Sequence, residues 1–214
     1  MGRAAMTNDD QIVAICRRGR SRQAIPILDR PLSASAQKQL RAITSRATIT
    51  STRLVNTYEC GDFKGDPHQL IAKYFDAFLY YANWGTRRLM LRVPSARLDP
   101  RVVKQYCRSR TGRARGPSVA TVTTVGAHLV IDMWSEDESG EDREDPEPGL
   151  LSALVPIRNE LMAGDYRALY LARRLRVQAG DVDPGARTSH ELEGFSRLTG
   201  SQHALVEFLR IHSK

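Results

Sequence analysis

The segment from residue 66 to residue 93 limits most strongly what this chain can fold into. In "DPHQLIAKYFDAFLYYANWGTRRLMLRV", Asp66 is placed as a helix N-cap and Pro67 as the first helical residue, where its missing N–H breaks no helical bond. Gly85 comes where a positive φ can end a helix, and "RLMLRV" then predicts a buried strand. The apolar residues between these ends recur at helical spacing and predict one long core helix: Leu70, Ile71, Tyr74, Phe75, Phe78, Leu79 and Ala82.

The junction after this helix is a candidate surface corner formed by Trp84, Arg87 and Arg88. A ligand-binding role is one interpretation. In the other, which we favour, Trp84 covers the end of the core and the arginines complement the partial negative charge of the helix C-terminus.

The remaining segments before residue 135 alternate between helix and strand. "NDDQIVAICRRG" and "LDPRVVKQYC" predict short helices, and "AIPILD" and "ATITSTRLVNTY" each predict one strand. Ser33 or Ser35 caps a further helix whose Leu40 and Ile43 face inward. "SVATVTTVGAHLVIDMW" predicts two strands around a turn at Gly126, with Leu129, Ile131 and Met133 on one face of the second strand and His128, Val130, Asp132 and Trp134 on the other.

From residue 135 onward, the chain begins with the acidic, proline-containing stretch "SEDESGEDREDPEPG" and then becomes helical. We expect an N-terminal basic extension (1–23), an α/β core domain (24–134), an acidic linker (135–149) and a helical region (150–214). The element order indicates an α+β protein, a two-layer α/β sandwich with a ferredoxin-like arrangement as one option, followed by the helical C-terminal region.

The helical region is predicted to contain one helix ending at Gly164, a second capped by Asp165, and short helices after it. The last carries Leu205, Phe208 and Leu209, which need a partner surface on the same chain or in a homo-oligomer. A helix-turn-helix with Arg167, Arg173, Arg174 and Arg176 on its second helix is less favoured, because the joint is too short and this half is acidic.

The charge of the chain is divided unevenly along its length. Residues 1–115 hold 22 lysines and arginines against 8 aspartates and glutamates, whereas residues 116–214 hold 10 against 16. Such a basic half predicts binding to nucleic acid or to an acidic protein, or neutralisation by the acidic linker. The candidate polyanion-binding residues form two clusters, Arg17, Arg18, Arg20 and Arg22, and Arg101, Lys104, Arg108, Arg110, Arg113 and Arg115.

The sequence offers little for catalysis, and we predict no catalytic residue, no metal site and no cofactor. Glu59, Asp62, Asp66 and His68 could bind a hard metal ion or act as acids and bases, but charged loop residues are usually only solvated. His128 and Asp132 share a strand face but lie about 13 Å apart, beyond hydrogen-bond reach. The three cysteines are widely spaced and suggest neither a disulfide framework nor a metal site.

The run "LVNTYECGDFKGDPHQLIAKYFDAFLYYANWGTRRLMLRVP", together with "DRPLS", "AITSRATIT", "LVPIRNELMAGDYRALYL" and "LVEFLRI", resembles a family of uncharacterised bacterial proteins. The resemblance covers most of residues 25–211. It implies a bacterial cytoplasmic protein, and it carries over no activity and no site residues.

Together these observations predict a non-enzymatic bacterial binding or adaptor protein whose basic half engages nucleic acid or an acidic protein. One alternative is a metal-dependent hydrolase or nuclease that uses carboxylates near Asp62 and Asp66. Another is a structural subunit of a protein assembly. No stretch is apolar enough to span a membrane, so we expect a cytoplasmic protein without a membrane partner.

Overall fold

One mixed sheet of eight strands organises the chain. The computed structural model describes residues 13–15, 31–56, 65–82, 85–109, 118–136, 149–183, 185 and 197–212. The strands are β1 (Val13–Ile15), β2 (Thr48–Ile49), β3 (Leu54–Val55), β4 (Ala77–Tyr81), β5 (Arg87–Pro94), β6 (Arg108–Ser109), β7 (Ala120–Val125) and β8 (His128–Ser135). The strand order across the sheet is β2-β3-β1-β4-β5-β8-β7-β6. The central strands β4, β5, β8 and β7 pair antiparallel, while β1 runs parallel to both β3 and β4, and β6 parallel to β7.

Seven helices are present in the described residues, and most begin at a residue that the sequence marks as a cap. Ser33, Asp66 and Asp99 each accept a hydrogen bond from a backbone N–H in the first turn that follows, and Thr199 forms a capping box with Gln202. The helices are α1 (Ala34–Ile43), α2 (Pro67–Lys73), α3 (Pro100–Tyr106), α4 (Leu150–Leu154), α5 (Pro156–Met162), α6 (Arg167–Gln178) and α7 (Gly200–Leu209).

Helices cover both faces of the sheet, so the molecule has three layers. Along β5, Leu89 and Leu91 pack in a core shared with α3 to α7, whereas Met90 packs in a second core with α1 and α2. We call these faces the α3–α7 side and the α1–α2 side. The α+β class and the helical C-terminal region are confirmed. The structure differs from a two-layer sandwich because α1 and α2 bury the face opposite α3 to α7, and its eight-strand order differs from a ferredoxin-like βαββαβ sheet.

The long helix predicted from Asp66 ends at Lys73, and the residues after it form β4. Phe78 and Leu79 lie in different cores, one on each face of the sheet, as successive strand residues must. A strand buried on both faces is a continuous apolar run, and such a run also matches helical spacing. The periodicity therefore predicted the burial of these residues but not their backbone conformation.

Four other predictions of local structure differ from the fold. Val13–Ile15 is a strand rather than part of a helix, and residues 48–55 form two short strands of a hairpin rather than one strand. Ile43 is 37% exposed rather than inward-facing. The helix predicted to end at Gly164 is two helices, because Pro156 lacks the N–H that a continuous helix would need and instead begins α5. The strand predicted for 24–29 and the helix predicted near 188–198 lie largely outside the described residues.

The final helix docks on its own chain. Leu205, Phe208 and Leu209 lie in the core that α4 to α6 share with the sheet. The apolar face of α7 is therefore covered by its own chain and does not require a second subunit. A homo-oligomer through these helices remains a prediction, and the apolar face of α7 no longer argues for it. The domain boundaries at 23, 134 and 149 also stay predictions, although β1 lies within the expected N-terminal extension and one core joins the sheet to the C-terminal helices. Within the described residues, no helix is both long and apolar enough to cross a membrane.

Burial of both faces of β5 can be tested by truncating one side chain on each. Leu91→Ala and Met90→Ala should each lower the free energy of unfolding by about 2–5 kcal/mol, because both side chains are fully buried. Thr124→Ala on β7, where the side chain is exposed, is the matched control and should change it by less than about 0.5 kcal/mol. Urea denaturation followed by circular dichroism gives the three values. A decrease for Leu91→Ala alone would contradict the three-layer arrangement.

Candidate functional site

The predicted polyanion-binding cations are only partly within the described residues. Arg101 and Lys104 are exposed on α3, on the α3–α7 side of the sheet. Arg108 lies in β6 with its Nη1 3.5 Å from Asp181 Oδ1, and Asp181 also accepts a 2.7 Å hydrogen bond from Arg176 Nε. Arg108 is therefore committed to an ion pair within the chain. The other predicted cations lie outside the described residues: Arg17, Arg18, Arg20, Arg22, Arg110, Arg113 and Arg115.

A second group of cations, which the sequence analysis missed, lies on the α1–α2 side. Residues 31–56 contain four basic residues and no aspartate or glutamate. These residues build α1 and the β2–β3 hairpin, and all four basic residues are exposed. Lys73 of α2 adds a fifth exposed cation. We call this group the basic surface: Lys38, Arg41, Arg46, Arg53 and Lys73.

Hydrogen bonds hold the elements of the basic surface together. Lys73 Nζ donates to Gln39 Oε1 at 2.9 Å, and the Tyr74 hydroxyl donates to the same oxygen at 2.6 Å, which joins α2 to α1. Arg41 donates to the carbonyl oxygen of Ala47 ahead of the hairpin. The elements that carry these cations are thus fixed relative to one another.

The described segments that carry the basic surface, 31–56 and 65–82, contain few carboxylates. In residues 65–82 the acidic residues are Asp66 and Asp76. Asp66 is exposed but caps α2, and Asp76 is buried with its Oδ1 2.6 Å from Arg92 Nη2. The sequence signal for this surface is the acid-free stretch 31–56, which a search for dense arginine runs does not detect.

The two arginines of the surface corner predicted from Trp84, Arg87 and Arg88 do not lie together. Successive residues of a strand point to opposite faces, so Arg87 and Arg88 diverge. Arg87 is 7% exposed, and its Cζ lies 5.6 Å from the centre of the Tyr81 ring on the α3–α7 side. Arg88 points to the α1–α2 side. Trp84 lies outside the described residues.

Arg88 belongs to a half-buried cluster with Asp132 and His68. Its Nε and Nη2 donate to Asp132 Oδ1 and Oδ2 at 2.8 and 2.7 Å, a bidentate ion pair. His68 Nε2 lies 3.0 Å from Arg88 Nη2 and 3.3 Å from Asp132 Oδ2. Because a guanidinium only donates, His68 accepts from Arg88 when its Nε2 carries no proton, and it donates to Asp132 when Nε2 carries one. The cluster therefore joins α2, β5 and β8 in either protonation state.

The pKa of Asp132 is shifted by its surroundings. Burial of this carboxyl acts to raise its pKa, but hydrogen bonds and charges from Arg88 and His68 outweigh burial and hold the pKa below its ordinary value of 3.8. Desolvation alone would lower the pKa of Arg88, and the carboxylate of Asp132 instead raises it. Each partner thus keeps the other charged.

The carboxylate site predicted from Glu59, Asp62, Asp66 and His68 is not assembled in the described residues. Glu59 and Asp62 lie outside them, and Asp66 accepts the backbone N–H of His68 at 2.8 Å as a helix cap. The His68 side chain turns to Asp132 instead. No group of three or more histidine, cysteine or acidic side chains suited to a metal ion occurs in the part of the chain that the structure describes.

The remaining candidates for chemistry are also bound into the fold. Burial raises the pKa of the Cys107 thiol to about 12, so this cysteine stays protonated and unreactive at neutral pH. In the helix considered for DNA recognition, Arg167 pairs with Asp165, Arg174 donates to the carbonyl of His212 and Arg176 pairs with Asp181. These bonds favour a helical hairpin that packs on its own chain over a recognition helix.

Comparisons of the chain with protein-family models, with curated proteins and with solved structures found no match. The likeness to a bacterial family therefore stays a prediction from the motifs, and any function must be argued from the site itself.

The Arg88–Asp132 pair predicts a specific dependence of stability on pH. A carboxyl whose pKa is lower in the folded state stabilises the fold above its unfolded pKa, and this contribution disappears as the pH falls through the folded pKa. Asp132→Asn leaves Arg88 without its carboxylate, so it should reduce the free energy of unfolding at pH 7 by about 3–5 kcal/mol. The difference from wild type should shrink as the pH falls below 3.8, the ordinary pKa of the carboxyl.

Urea denaturation at a series of pH values measures both effects. Asp165 and Asp181 also have lowered pKa values, so the variant keeps a residual dependence on pH. A difference between variant and wild type that stays constant from pH 7 to pH 3 would contradict the assignment.

Proposed function

We propose that this protein is a non-enzymatic binding protein that holds nucleic acid through phosphate contacts at the basic surface. The observation that carries the proposal is the absence of acidic residues from positions 31–56, whose four basic side chains are all exposed. Bound phosphates would release counterions from the nucleic acid, which gives affinity that depends steeply on salt and little on base sequence. In line with the resemblance, we place this activity in the bacterial cytoplasm.

Much of the remaining positive charge in the described residues serves the fold. Arg88, Arg92 and Arg108 pair with carboxylates inside the chain, so the net charge of the basic half overstates what a ligand can reach. The cations of α1 and the hairpin are exposed and lie in a stretch that has no carboxylate of its own. They are therefore the strongest candidates for contact with a polyanion.

Two exposed surfaces compete for this role, and they lie on opposite sides of the sheet. The basic surface is on the α1–α2 side, and the predicted cluster at Arg101 and Lys104 is on the α3–α7 side. Reversing two charges on each side gives two variants with the same net charge, Lys38→Glu/Arg46→Glu and Arg101→Glu/Lys104→Glu. A difference between them cannot come from net charge alone.

Fluorescence anisotropy with labelled single-stranded DNA, RNA and duplex DNA, between about 50 and 200 mM salt, measures the affinity and its salt dependence. Wild type should bind with a steep salt slope. Lys38→Glu/Arg46→Glu should weaken binding and reduce the slope by roughly 0.7–0.9 for each phosphate that the protein no longer neutralises. The α3 variant should bind nearly as wild type does.

Four outcomes would overturn the proposal. A weaker affinity in the α3 variant than in the α1 variant would move the phosphate site to Arg101 and Lys104, and equal weakening would reduce binding to a general charge effect. Absence of binding by wild type at low salt would exclude nucleic acid and favour an acidic protein partner. Cleavage of the labelled strands on addition of Mg²⁺ would instead favour the hydrolase or nuclease alternative.

A further inference from the structure

Three neighbouring strands place an aromatic residue on either side of an arginine on the α1–α2 side. Tyr80 in β4 is paired with Arg88 in β5, and Arg88 is paired with Trp134 in β8. Directly opposed residues in antiparallel strands share a face, with Cβ atoms about 4.5–5.5 Å apart. We call this line of Tyr80, Arg88 and Trp134 the aromatic row.

The aromatic row lies where the helical cover of this face ends. In the adjacent row of paired residues, Phe78 and Met90 are at most 1% exposed in the core beneath α1 and α2. His68, in the first turn of α2, touches Arg88. Tyr80 and Trp134 are half-buried, and the Arg88 side chain is 25% exposed. The row is therefore reachable from solvent, unlike its neighbour.

Polar bonds within the chain fix the parts of the row. The bidentate pair with Asp132 holds the plane of the Arg88 guanidinium and balances its charge. The Trp134 indole donates through Nε1 to the carbonyl oxygen of Ser118 at 3.0 Å. The side chains of Arg88 and Trp134 are therefore ordered before any ligand binds. Such order reduces the entropic cost of binding.

Flat surfaces beside cations suit unpaired nucleobases. Aromatic side chains stack on bases with little regard for sequence, since every base has a π-face, and arginine adds to the contact. The bases of a duplex are already stacked on one another and are not available in this way. Tyr80 packs against the same core as α1, so the basic surface lies on the same side of the sheet as the row.

We propose that the aromatic row is a stacking site for unpaired bases of single-stranded nucleic acid, whose phosphates contact the basic surface. This inference rests on the proposed function and adds a ligand class to it. The row supplies a preference for strands with exposed bases, and the cations supply the salt-dependent part of the affinity.

The test compares two probes of equal length and charge, oligothymidine and an abasic strand, by fluorescence anisotropy. Wild type should bind oligothymidine roughly fivefold to hundredfold more tightly, the range for one stacked base. Tyr80→Leu and Trp134→Leu should each reduce this preference, because each removes one of the two rings, and both should leave the salt slope unchanged. Tyr80→Phe and Trp134→Phe keep a ring at each position and should keep most of the preference.

The unfolding midpoint of each variant shows whether it is folded. Tyr80→Leu provides the test if Trp134→Leu does not fold, because leucine cannot replace the hydrogen bond that the indole donates to Ser118. Equal binding of the two probes by wild type would overturn the stacking site while leaving phosphate binding intact. The stacking site is likewise contradicted if the leucine variants weaken binding of both probes equally. Failure of wild type to bind either probe at low salt would remove both this inference and the proposed function.

Discussion

The central strand β5 is buried on both faces and yet carries Arg88 and Arg92 on one of them, and much of the structure follows from pairing these two charges. Each guanidinium takes a carboxylate from a neighbour, Asp132 in β8 or Asp76 just before β4. An unpaired charge at either position would cost several kcal/mol of solvation, of the order of 3–5 kcal/mol for one broken pair. The alignment of β4, β5 and β8 is therefore held by ion pairs as well as by backbone hydrogen bonds.

Arg92 also connects the sheet to both helical layers. Arg92 Nη1 donates to the carbonyl oxygen of Ala72 in α2, and the carbonyl oxygen of Arg92 accepts from Arg158 Nε of α5 at 2.7 Å. Arg158 is 2% exposed, with its Nη2 3.8 Å from Asp76 Oδ1. One short stretch of β5 thus fixes the position of a helix on each side of the sheet. This is why charge in the basic half is divided between arginines that build the fold and cations that remain at the surface.

The sequence predicted those features of the fold that are determined by residues close together in the chain. The N-caps at Asp66 and Asp99, each followed by proline, and the hairpin turn at Gly126 are set by neighbouring residues and were predicted. β4 was not, because an apolar run buried on two faces satisfies the helical and the strand pattern alike. The partners within the candidate site are distant along the chain. In the sequence, the nearest candidate partner of Asp132 is His128, and that of His68 is Asp66. Only the folded structure brings Asp132 and His68 together, at Arg88. The basic surface could have been predicted, because the absence of acidic residues from 31–56 is visible in the sequence. It was missed because its cations are too widely spaced to form a dense arginine run.

Strand β1 has a consequence for the order in which the sheet can form. Its three residues pair with β3 on one side and β4 on the other, both much later in the chain. The hairpins β2–β3, β4–β5 and β7–β8 form from much closer contacts, which carry a smaller cost in loop-closure entropy, whereas the pairing of β1 with β4 joins the two paired strands that are most distant along the chain. We therefore expect β1 to pair last. Its insertion joins the β2–β3 hairpin to the sheet that begins at β4, and so completes one continuous sheet.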